Sequence, residues 1–261
     1  MPAVLKSSQQ LKKPPKPVST TITCPSAGFR KGEQARLLTG TTAQQLGRLL
    51  GGRLSIKARA AKDKKIAAAK HNAEIARLLQ CPDNLVIYVD GSLRVPPGVP
   101  PLVGAACVGY VGSAEGGQLV FALTCALAPS ESLQGAELEG QRMGLQLAAK
   151  SAKRFGSVKN VHIFTDDEVA VQAMFDEGQD PRTAEHRANI RSRAYAFLAG
   201  DRERTLTMAW IPAHQGIPGN MAADKLARKA TKDVASAAVG GGTFETTALE
   251  DLGKAFTQRR G

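Results

Sequence analysis

The sequence predicts an α/β domain: a mixed five-stranded sheet, three antiparallel strands followed by parallel ones, flanked by helices. Three observations predict it. Apolar runs at 85–92, 101–112 and 117–128 are joined by short Gly- and Pro-rich connections, the pattern of an antiparallel meander. Two further apolar strands, 158–166 and 205–213, each follow helical segments, which is how parallel strands are delivered to a sheet. The order β-β-β-α-β-α-α-β-α then leaves helices to cover the sheet faces.

Taken in order, the 261 residues suffice for one well-buried domain with flanks, and the hydrophobic content of 43% is ordinary. Residues up to about Thr20 are rich in Lys, Pro, Ser and Gln and are expected to be disordered. From Gly32 to Gln80 the chain is helical in character, with Ile66, Ala69, Ala73 and Leu78 forming a narrow apolar stripe in an Ala/Lys-rich segment. Charge divides sharply at this point. Up to Gln80, sixteen Lys/Arg against three acids give +13, whereas the remaining nineteen bases and twenty acids give −1. The basic region reads equally as a solvated helix packed on the domain and as an electrostatic arm for phosphate backbones. These shifts set three regions: a basic extension at 1–80, disordered then helical; a folded domain at 81–233; and a low-complexity tail at 234–261.

The N-terminus has no apolar signal segment, so an intracellular chain, nuclear or cytoplasmic, is expected. The uncharged stretch Val95–Ala114 approaches membrane-span length, but Pro96, Pro97, Pro100 and Pro101 exclude a helix there, and no membrane partner is expected. The four cysteines lack metal-site spacing, and Cys107 and Cys125 read as buried thiols.

In the meander, "YVDGS" places Asp90 where an apolar strand ends, and "IFTDD" does the same for Asp166. Parallel neighbours would bring both to the carboxyl ends of adjacent strands, where open α/β sheets place their sites. Taken singly, Asp-Gly turn chemistry and an Asp-rich helix start would explain them as well. Strand alternation selects Asp166 over Asp167, which reads as the cap of the next helix. The helix 132–156 carries Glu137, followed at i+3 and i+7 by Gly140 and Gly144. Each glycine costs a helix about 1 kcal/mol, so that side is expected to press on the sheet and to aim Glu137 at the strand ends. Glu139, about 200° further around, reads as a solvated helix glutamate. Asp224 lies at the edge of the last helix's buried stripe (Ala223, Leu226, Ala227, Ala230), with Asn220 as the expected cap. His214 sits in the Gly/Pro loop before it.

Four gathered carboxylates favour protonation unless a cation is present. Magnesium or manganese suits an all-oxygen site, and two such ions can drive phosphodiester hydrolysis. A loop histidine can then move a proton without ligating metal.

Together these motifs resemble the type 1 ribonuclease H family, with the flavour of the domains in fungal non-LTR retrotransposon polyproteins. "YVDGS", "GAELEG", "IFTDDEVAV" and "WIPAHQGIPGNMAADKLARKA" resemble its acidic motifs and histidine loop over about Asn84–Lys232. The resemblance implies a ribonuclease H-like fold in which Asp90, Glu137, Asp166 and Asp224 bind two Mg2+ ions (Mn2+ as an alternative) and His214 assists proton transfer. The implied partner is an RNA–DNA hybrid, whose RNA strand would be cut endonucleolytically to a 3′-hydroxyl and a 5′-phosphate. Gln134 matches a residue that touches the minor groove, where a 2′-hydroxyl distinguishes RNA from DNA.

Three departures stand out. Asp167 replaces the usual Ser or Asn, the Pro-rich insert after Asp90 is long, and no basic protrusion follows the Asp166 helix. Arg187 and Arg191, one turn apart, are the candidates for phosphate contacts in its place. No polymerase-type aspartate pair is present, so a retroelement origin would make this a detached fragment. The competing reading is a catalytically decayed, retroelement-derived nucleic-acid-binding protein. Exonuclease and integrase readings conflict with the histidine loop.

Overall fold

The computed structural model describes residues 51–57, 63–173 and 181–237. Expectations for residues 1–50 and for most of the tail lie outside these. Eleven elements occur among the described residues. They are β1 (Leu54–Lys57), α1 (Lys64–Leu78), β2 (Asn84–Arg94), β3 (Leu102–Val111), β4 (Gln118–Leu127) and α2 (Leu133–Phe155), then β5 (Asn160–Thr165), α3 (Glu168–Ala173), α4 (Pro181–Ala199), β6 (Thr205–Trp210) and α5 (Pro218–Ala237).

The sheet is mixed and α/β as expected, but it has six strands rather than five, in the order β1-β6-β5-β2-β3-β4. β2, β3 and β4 form the antiparallel meander, whereas β5, β6 and β1 run parallel to β2. The sixth strand, β1, comes from the basic extension. Its four residues hydrogen-bond along β6 from Leu54↔Leu206 to Lys57↔Ala209, covering what would otherwise be an open edge.

Period-2 alternation in β2 splits the core into two layers. Leu85, Ile87 and Val89 face α2 and α4, meeting Leu138, Leu145, Ile190 and Phe197. Val86 and Tyr88 face the other way, toward α1 and α5, meeting Ile75, Leu226 and Ala227. The glycines of α2 do what their spacing predicts. A Cβ on Gly140 would lie 3.1 Å from the Ala106 carbonyl oxygen and 3.2 Å from the Val89 Cβ, and one on Gly144 would lie 3.2 Å from Ile87. The helix therefore approaches β2 and β3 so closely that a side chain at either position would fit only if its neighbours gave way by a few tenths of an ångström.

α1 departs from its expected stripe. Asp63 caps it by accepting from the Lys65 and Ile66 amides. The buried residues are Ala68, His71, Ile75 and Leu79, while Ile66 is 52% exposed and Ala69 and Ala73 are also exposed. The polar His71 turns inward because Tyr88 partners it: Nε2 lies 3.0 Å from the Tyr88 hydroxyl, and the ring packs edge-on to Phe164. Burial lowers the His71 pKa to about 4, which keeps the ring neutral. Val95–Ala114 is the β2–β3 connection and β3 itself, and no helix among the described residues is long and apolar enough to cross a membrane. Cys107 and Cys125 are buried free thiols, as expected.

Candidate active site

The site is built where β5 stops and β2 continues. The last register pair between these parallel strands is Tyr88↔Phe164, so Asp90 and Asp166, each two residues on, stand level on neighbouring strands. Asp90 does not end its strand. β2 runs on to Arg94, paired with β3, and Gly91 lies opposite Ala105 rather than in a turn. Asp90 is instead the residue at which β2 loses its β5 neighbour.

Glu137 arrives from the start of the second turn of α2. Ser132 caps that helix by accepting from the Gly135 amide at 3.0 Å. At Gly91 a Cβ would come within 2.7 Å of the Glu137 amide nitrogen, so glycine there lets the helix start sit directly on β2. The Glu137 carboxylate accepts from the Gly91 amide at 2.9 Å and from the Thr165 hydroxyl at 3.1 Å, which pins it over the strand ends. One oxygen each from Asp90, Glu137 and Asp166 lies within 4.8 Å of the others.

Asp166 is held from two sides. Its Oδ2 accepts from Asn220 Nδ2 at 2.9 Å, and its backbone carbonyl accepts from Trp210 Nε1 at 3.0 Å. Asn220 is therefore no helix cap. α5 begins at Pro218, whose fixed φ and missing N–H suit a first helical position, and this leaves the Asn220 side chain free to serve the site. Pro218 was the signal that could have revealed this. Asp167 does cap α3 as expected, accepting from the Val169 and Ala170 amides.

Electrostatically the cluster is uncompensated. Burial, then Glu137, Asp166 and Asp224, push the Asp90 carboxyl far above the ordinary range, while Arg228 pulls the other way. Burial likewise raises Glu137, although the Gly91 amide and the Thr165 hydroxyl oppose it. Two carboxylates about 4 Å apart repel by roughly 4 kcal/mol at an effective dielectric of ~20. A hydrogen bond to a charged group returns about 1.5–3 kcal/mol net, but burial adds to the repulsion, and Asp90 is raised in spite of Arg228 and Glu137 in spite of its donors. The cluster must therefore hold either protons or a cation. Its all-oxygen, anionic chemistry fits a hard divalent ion such as magnesium or manganese.

The fourth acid stands apart. Asp224 lies in the second turn of α5, outside the three-carboxylate group, and its Oδ1 accepts from Arg228 Nε at 2.8 Å. His214 is exposed in the loop between β6 and α5, with a positive φ of 56° and Gly216 following at 70°. A left-handed conformation is uncommon for a residue with a side chain, though His adopts it more readily than most. Gln134 is half-buried one turn before Glu137.

Three expectations change. Arg187 and Arg191 are 5% and 8% exposed, and Arg187 donates to Thr183 at 2.6 Å. They lie on the inner side of α4 rather than on an open surface. Glu139 is not solvated, being 6% exposed. It accepts from Arg142 Nε at 2.6 Å and lies 3.7 Å from His186 Nδ1, because α4 packs over that side of α2.

The chain resembles in structure the N-terminal RNase H domain of Rv2228c from Mycobacterium tuberculosis, solved as a fusion with maltose-binding protein, at 23% identity over 59% of this chain and 98% of that one, with a TM-score of 0.44. It also resembles RNase H1 of the archaeon Halobacterium salinarum NRC-1 (21% identity, 57% and 98% covered, TM-score 0.40). A third similar structure is the RNase H domain of prototype foamy virus, at 20% identity, with 57% and 94% covered and a TM-score of 0.45. No curated protein matches the chain in sequence. The RNase H family model, however, matches residues 82–232, which is more than half of the chain and includes Asp90, Glu137, Asp166 and Asp224. The chain belongs to the RNase H family.

Proposed function

We propose that this protein hydrolyses the RNA strand of RNA–DNA hybrids endonucleolytically, leaving a 3′-hydroxyl and a 5′-phosphate. In this reading Asp90, Glu137, Asp166 and Asp224 hold two divalent cations, Mg2+ or alternatively Mn2+. When bound, such ions supply Lewis acidity and an activated water. The observation that carries the reading is the convergence of Asp90, Glu137 and Asp166 without a compensating cation inside the group. Family membership supplies the hydrolase chemistry and the hybrid substrate.

Each residue then has a task set by its surroundings. Thr165, the Gly91 amide and Asn220 fix the carboxylate orientations before substrate arrives. His214, exposed on its left-handed loop, takes up or returns a proton at the reacting phosphate. Gln134, on the same helix start as Glu137, reads the minor groove. The basic region up to residue 80, whose β1 and α1 pack on the sheet, contacts phosphate backbones, with 81–233 as the catalytic unit and 234–261 as its tail. The retroelement origin suggested by the motifs belongs to the same proposal.

The test is cleavage of an internally labelled hybrid with blocked ends, with and without Mg2+. Wild type should cut internally only with metal and should leave duplex DNA intact, and Asp90→Asn should abolish cutting while keeping the fold. Asp90→Asn cutting as well as wild type would sink the assignment. Salt-sensitive binding with no cleavage would favour the decayed binder.

A further inference from the structure

The fourth acid raises a question of its own. Three carboxylates share one pocket, but Asp224, on the same helix as Asn220, is bonded to Arg228 one turn away at 2.8 Å. The Asp224 side chain is 32% exposed and that of Arg228 60%, so the pair sits at the solvent-facing rim of the site. The pair nevertheless acts on the pocket. Asp224 adds to the negative field at Asp90, and Arg228 is the cation that opposes it. The bond runs from i+4 back to i along an α-helix, so it forms and breaks by side-chain rotation with α5 unmoved.

We propose that Arg228 is a positioning residue that holds Asp224 apart from Asp90, Glu137 and Asp166, so that a divalent cation enters the three-carboxylate pocket first and a second is held only when Asp224 exchanges Arg228 for it. This rests on the metal-dependent reading above. Charge balance supports it. Four carboxylates with one divalent ion and Arg228 leave a single net negative charge. Without Arg228 they leave two, which is the charge a second ion would neutralise. The magnitude also fits a displaceable partner. An exposed ion pair is weak, so Arg228 weakens the second ion's binding without excluding it. A phosphate arriving at the rim offers Arg228 an alternative anion and releases Asp224 at the moment the substrate is present.

The test is Mn2+ binding to the full-length, substrate-free protein, followed by electron paramagnetic resonance of the free ion, with melting curves to confirm folding. Wild type should show one stronger and one weaker site. Arg228→Gln should tighten the weaker site by roughly two- to fivefold, the range spanned by an exposed ion pair, and leave the stronger one unchanged. Arg228→Lys, which keeps the charge, should stay near wild type. Asp224→Asn should lose the weaker site and keep the stronger. An Arg228→Gln titration that superimposes on wild type, or an Asp224→Asn variant that weakens the stronger site, overturns the proposal while leaving the nuclease reading intact. If wild type binds no Mn2+ at all, both fall.

Discussion

Glu137 and Glu139 lie two residues apart on one helix and are equally buried, at 5% and 6% exposure, yet their electrostatics are opposite. Glu139 faces α4. Burial alone would raise its pKa, but His186, 3.7 Å away, and Arg142, which donates to it, hold it below the ordinary value. His186 is in turn raised, first by Glu139 beside it, against burial and together with Glu131, its hydrogen-bond partner at 3.2 Å. Glu137 faces the strand ends, where its neighbours are other acids, and its pKa is raised. The fold thus compensates the acid that serves packing and leaves uncompensated the one that serves the site. With Asp90 and Asp166, Glu137 forms the acidic group that could hold a metal ion.

The largest effect expected from this contrast is on cleavage. Glu137→Gln should lower hybrid cleavage by roughly 10²- to 10⁴-fold, and Glu139→Gln should retain it below its own melting temperature. Equal losses in single-turnover assays would erase the distinction. In stability the order reverses. Arg142→Met leaves Glu139 buried with a lost partner, at a cost of about 3–5 kcal/mol. Glu137→Gln removes repulsion and should stabilise the metal-free protein. Urea unfolding of both variants measures this. Gly91→Ala comes next, since its Cβ would press on the Glu137 amide. Overpacking there should cost about 1–3 kcal/mol and move Glu137 off its two donors, which would appear as a lower kcat with little change in KM.

The smallest expected effect is in pH dependence, and the two glutamates give opposite signs. Asp90 and Glu137 have folded pKa values raised above their unfolded ones. The stability they contribute is present below the ordinary carboxylate range and is lost as pH rises through the raised values. Glu139 is lowered, so its contribution is present above the ordinary range and is lost as pH falls through the folded value. Melting curves of metal-free wild type from pH 5 to 9 should therefore decline toward alkaline pH. Glu137→Gln should flatten that decline, and Glu139→Gln should leave it.

Much of this site is legible in the sequence, for physical reasons. Asp90 and Asp166 interrupt apolar strands, and parallel register then levels them without further information. Glu137 is betrayed by Gly140 and Gly144, which are costly in a helix unless a sheet lies close. Other features depend on contacts between distant segments. β1 is four residues long and becomes a strand only because β6 offers an edge. His71 is buried only because Tyr88 faces it, so a stripe read from apolar residues alone came out rotated. Glu139, Arg187 and Arg191 look like surface charges until α4 and α2 pack together. The expectation that Asn220 caps α5 was local chemistry misapplied, because Pro218 already starts the helix. The Asp224–Arg228 pair was visible as an i, i+4 spacing, but its place at the rim of an acidic pocket was not.

The central claim is that Asp90, Glu137 and Asp166 form a pocket that needs a divalent cation. Its most direct test is a Mg2+ titration of the melting temperature of wild type and Glu137→Gln, each first stripped of metal. Wild type should rise with Mg2+ toward saturation, gaining about 2.7 kcal/mol of stability at a hundred times its Kd. Glu137→Gln should start higher and respond little. A flat wild-type titration, or a Glu137→Gln variant that tracks wild type from a lower start, would contradict the claim.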